Sequence, residues 1–88
     1  MKGIAPERWS EIEELSAQDP ELLFDVILNL RRNLPLEVLQ SSGLLIENLL
    51  QTAMIVTGKA TYQSLLILVE LPEVELIAEE EMDPVLLP

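Results

Sequence analysis

The chain contains no cysteine and no histidine. Without them there is no disulfide, no thiolate or imidazole metal site, and no Cys–His or Ser–His nucleophilic pair. Three glycines leave no room for a glycine-rich phosphate loop. Five basic residues stand against sixteen acidic ones, and the net charge of −11 opposes phosphate backbones and anionic membrane surfaces. These absences point away from catalysis: the chain reads as non-enzymatic, with no cofactor, no metal, no nucleic acid as a direct ligand and no membrane.

Aromatics are scarce too, limited to Trp9, Phe24 and Tyr62, although 49% of the 88 residues are apolar. The apolar content is therefore aliphatic and rich in leucine, a good helix former, and it lacks the aromatic enrichment of a strand-built domain. The expected fold is all-α: a small bundle of four to five short helices around two apolar central helices. One helical domain over residues 1–83 and a loose C-terminal tail over 84–88 are expected. A domain of this length buries only about 60–65% of its unfolded surface. Hiding so much aliphatic surface calls for self-association or a dedicated partner.

The bundle is expected to form around Leu44 to Thr57, LLIENLLQTAMIVT, with one charge and no proline. Wound as a helix, this stretch gathers Ile46, Leu49, Leu50, Ala53 and Val56 on one broad face. It is too short for the roughly 20 residues of a membrane span. A first helix is predicted from Pro6 to about Ala17, with proline at its first position and Trp9, Ile12 and Leu15 or Ser16 inward. Asp19-Pro20-Glu21 reads as the start of a second, running to about Asn33 and ending on Arg31-Arg32. Its polar residues Glu21, Asp25, Asn29 and Arg32 form a narrow line.

Leu34-Pro35 breaks that helix, and a short one follows to about Gln40. Ser42 is read as the N-cap of the central helix and Gly58 as its left-handed C′ residue. Thr61 caps a helix from Tyr62 to about Leu71. The run LLILVEL fits a buried strand as well, so 61–82 is left between helix and hairpin, with helix preferred because no other strand is expected. Pro72 opens a last helix. Leu34 to Leu39 and Leu71 to Leu76 resemble each other at a spacing of 37, but repeat arrays need about three units to bury a core.

The carboxylates Glu7, Glu11 and Glu14, like Glu21 and Asp25, lie on helix faces turned to solvent, where nothing tunes them for acid–base chemistry. The acids from Glu73 to Asp83 lack the spacing of a calcium-binding loop. In size and acidity the chain is similar to acyl carrier proteins, whose prosthetic-group serine lies in an Asp-Ser-Leu motif. Gln40-Ser41-Ser42-Gly43-Leu44 has neither the aspartate nor the adjoining leucine, so the resemblance stops at composition.

Between Val38 and Val69 there are one acid, Glu47, and one base, Lys59, and fifteen of the sixteen acids lie outside. An apolar middle with acidic ends implies a protein–protein interaction module that self-associates: a regulatory adaptor, an antitoxin-like partner or an assembly factor. Met54, Ile55, Tyr62, Leu66, Val69, Leu86 and Leu87 are the expected contact residues. The alternative is an acidic inhibitor that imitates nucleic acid on a basic target. The opening MKGIAPERW has no apolar stretch of a secretory signal, so a cytoplasmic location is expected.

Overall fold

Phe24, Val26, Leu28 and Leu30 alternate with Asp25, Ile27 and Asn29, and this period of two makes β1 (Phe24–Leu30). In the computed structural model, which describes residues 3–79, β1 is an inner strand of a four-stranded antiparallel sheet. The other elements are α1 (Pro6–Gln18), α2 (Leu36–Ser41), β2 (Leu45–Leu50), β3 (Ile55–Ala60), α3 (Tyr62–Leu68) and β4 (Val74–Glu79). The strands lie in the order β2-β3-β1-β4. The chain thus makes two split β-α-β units, β1-α2-β2 with β3 between its strands and β3-α3-β4 with β1 between its strands.

The fold is α+β, and this corrects the all-α helical bundle. The central stretch is a hairpin: β2, a turn at Gln51 to Met54, and β3. The second expected helix is β1, and the last one is β4 over its described part. Three helices do form near their expected places, as α1, α2 and α3, and the Thr61 side chain caps α3 by accepting from the Ser64 amide at 3.2 Å. Ser42 does not start a helix. It closes α2, donating to the Leu39 carbonyl at 2.5 Å, and Gly43 follows with φ +93°, as helix C-termini favour.

Gly58 lies inside β3, not at a helix end. A Cβ there would collide with the Leu45 carbonyl oxygen, so glycine is what lets β2 approach. The hairpin turn has no glycine, asparagine or proline, and Met54 takes its left-handed position at φ +55°. This is an uncommon conformation for a side chain of its size.

One core holds the two layers together. The inward residues Phe24, Val26, Leu28, Val56, Ala60, Val74 and Ile77 pack against Ile12 of α1, Leu39 of α2, and Leu65 and Leu68 of α3. All three helices therefore cover the same face of the sheet. Trp9 is half-buried and rests its ring 5.5 Å from that of Tyr62, joining α1 to α3. Among the described residues no helix is long and apolar enough to cross a membrane.

Candidate functional site: the open face of the sheet

Successive side chains of a strand point to opposite faces, so each inward residue has a neighbour pointing away from the helices. The pairing register arranges these neighbours in three rows across the sheet. The first row is Leu45, Lys59 and Asp25; the second is Asn48, Thr57, Ile27 and Ala78; the third is Leu50, Ile55, Asn29 and Leu76. No helix covers this face among the described residues. Leu45 is 55% exposed, Leu50 52% and Leu76 40%, while Ile27 and Ile55 on the inner strands are half-buried by their neighbours. One end is charged and the other aliphatic.

The charged end is held together internally. The Lys59 ammonium donates to the Asp25 carboxylate, and a Glu47 carboxylate oxygen lies 3.6 Å from it. The hydrogen bond to Asp25 is the main reason Lys59 is pushed above the ordinary lysine range, against a smaller opposing effect of burial. Lys59 thus remains an ammonium at neutral pH between two carboxylates.

The rest of the acidity sits elsewhere. Glu7, Glu11, Glu13 and Glu14 are exposed on α1, and Glu37 on α2, in the layer behind the sheet. Arg8 crosses from α1 to β4, giving Glu79 a two-pronged ion pair at 2.6 and 2.8 Å, with its guanidinium 6.0 Å from the Phe24 ring centre. This pair chiefly holds Arg8 above its already high pKa. Two clefts flank α1. One of about 210 Å³ is lined by Arg8, Glu11, Glu14, Leu15 and Gln18, the other of about 300 Å³ by Glu13, Ser16, Ala17, Pro20, Tyr62 and Gln63.

The contact residues expected from sequence are divided by the fold. Ile55 lies in the aliphatic row and Met54 in the turn beside it. Tyr62 and Leu66 belong to α3 in the other layer, and Val69, just past its end, packs against the core. Leu86 and Leu87 lie outside the described residues. Ile27, Leu45, Leu50 and Leu76 were missed. Their signal was the apolar doublet, as in Leu44-Leu45 and Leu49-Leu50: in a strand, two adjacent apolar residues point to opposite faces, so doublets announce a sheet that is apolar on both.

No protein-family model matches this chain, and no curated protein and no solved structure matches it either.

Proposed function

We propose that this protein is a non-enzymatic protein–protein interaction module that works through the open face of its sheet. The observation that carries the reading is the aliphatic row Leu50, Ile55 and Leu76, backed by Ile27 and left uncovered by the helices. Single exposed leucines are ordinary, but aliphatics gathered on one flat surface mark a place of contact. A regulatory adaptor, an antitoxin-like partner and an assembly factor all suit such a surface, and self-association is part of the reading.

Immobilised protein carrying Leu50→Glu or Leu76→Glu tests it against protein carrying Glu11→Gln and Glu14→Gln. The face variants should lose a partner that the α1 variant keeps, and capture should survive a change from about 0.1 to 0.5 M salt, since apolar contacts are not screened. Loss in the α1 variant alone would overturn the reading.

The second reading, an acidic inhibitor of a nucleic-acid-binding protein, is favoured by one observation: the exposed Glu7, Glu11 and Glu14 along α1. On that reading salt weakens capture steeply and duplex DNA displaces the target.

A further inference from the structure

We propose that the occupant of the open sheet face is a second copy of this chain, packed face to face about a two-fold axis that runs along the strands between β3 and β1. The inference rests on the reading of that face as a contact surface and names what covers it.

Both edges of the sheet are poor places to add a strand. Edge β2 carries Glu47 as an extra residue between the pairs Ile46–Gly58 and Asn48–Thr57, and edge β4 carries Glu75 between Leu76–Asn29 and Val74–Leu30. A bulge bearing a charge is how natural sheets block edge pairing. Association is thereby directed to the face.

The rows of the face are complementary to themselves under the proposed axis. It exchanges β3 with β1 and β2 with β4, because the sheet order is β2-β3-β1-β4. Lys59 then lies over Asp25 of the second copy, and Asp25 over its Lys59. Leu50 of edge β2 lies over Leu76 of the second copy's edge β4, Ile55 over Asn29, and Thr57 over Ile27. An interface of this isologous kind brings each patch onto its counterpart, and here opposite charges meet at one end of the face and leucines meet at the other, with the mixed pairs Ile55–Asn29 and Thr57–Ile27 between them. The acids of α1 and α2 lie in the layer behind the sheet, so two chains of net charge −11 meet on a face whose acids, Asp25 and Glu47, are held by Lys59.

The area sets the strength. Four strands about 4.8 Å apart and six residues long make a face of roughly 19 by 20 Å, so two copies cover close to 800 Å² in projection. Specific interfaces begin near 1,000–1,200 Å² of accessible surface. The dimer is therefore weak, concentration-dependent and strengthened by salt, which screens the repulsion between two acidic bodies.

Because the chain has no cysteine, introduced thiols report on geometry without interference. The doubly substituted Leu50→Cys, Leu76→Cys protein, treated with a short bis-maleimide, should give a covalent dimer of twice 9.9 kDa. Each single variant should give none, while an equal mixture of the two singles should cross-link. Leu50→Glu should lower the sedimenting dimer fraction, raising the dissociation constant about tenfold or more with an unchanged circular dichroism spectrum.

Cross-linking of Leu50→Cys to itself overturns the axis. A monomer at every concentration overturns the second copy. In that case the rate at which a monofunctional maleimide labels Leu50→Cys separates the two ideas: fast labelling leaves the contact-surface reading standing for another partner, and a shielded thiol overturns that reading too.

Discussion

Glu47 and Glu75 hold matching positions at opposite edges of the sheet, each the unpaired residue of a bulge, Glu47 in β2 and Glu75 in β4. An unprotected edge is a template for pairing with another chain, and a charged bulge removes both the regular ladder and the apolar surface such pairing needs. Replacing both glutamates, Glu47→Val with Glu75→Val, is expected to shorten the lag of thioflavin-positive aggregation severalfold at neutral pH. Glu11→Val on α1 should leave the lag unchanged.

Gly58 gives a test of the hairpin itself. Gly58→Ala places a methyl group against the Leu45 carbonyl oxygen, where backbone and not a flexible side chain must yield. Overpacking of this kind costs about 1–3 kcal/mol, which lowers the melting temperature by roughly 10 °C in a domain of this size. Thermal melts followed by circular dichroism would show it.

Arg8 and Glu79 link the first helix to the last described strand across the sequence. The Arg8 side chain is 38% exposed, so solvent screening limits what the pair contributes. Arg8→Ala is expected to cost about 0.5–1 kcal/mol in urea unfolding, and Arg8→Lys most of the same, because an ammonium cannot reproduce the two-pronged geometry.

Lys59 predicts a pH dependence with a definite sign. Its folded pKa is raised from the ordinary 10.5 by Asp25, so folding favours the protonated form. The contribution is fully present below the ordinary lysine value and is lost as pH rises through the folded value. Urea midpoints of the protein and of Lys59→Met should therefore differ at pH 8 and converge at strongly alkaline pH.

The open apolar face also explains how much of the fold was legible in the sequence. The helix signals at Pro6 and Thr61 are local, made of a proline at the first position and a capping side chain, and both helices formed there. The strands announce themselves only by alternation, and alternation is visible when one face is polar. Here Ile27, Leu45, Leu50, Ile55 and Leu76 fill outward positions with aliphatics, so the alternation is broken by apolar clusters such as Val26-Ile27-Leu28 and Leu49-Leu50 that suit a buried helix equally well. Asp25 and Asn29 deepened the ambiguity. A spacing of four is two strand repeats and also close to one helical turn, so the same pair marks one face under either period. The turn at Gln51 to Met54 gave no warning, since it uses none of the residues that punctuate hairpins.

The candidate site was hidden for the same reason. Wound as a helix, the central stretch sets Ile55 among its polar residues and puts Leu50 on the same apolar side as Leu49. On a strand Leu49 turns inward and Leu50 outward. The residues that make the surface were present in the sequence as doublets, but their separation onto two faces depends on the strand period.

The most direct test follows the methyl groups of isoleucine, leucine and valine by NMR as the protein is diluted from millimolar to micromolar concentration. The resonances of Ile27, Leu45, Leu50, Ile55 and Leu76 should move together with dilution, while those of Leu28, Val56 and Ile77 in the core stay fixed. Shifts confined to α1 and α3 would contradict the open sheet face as the surface through which this protein associates, and none across the series would contradict its self-association.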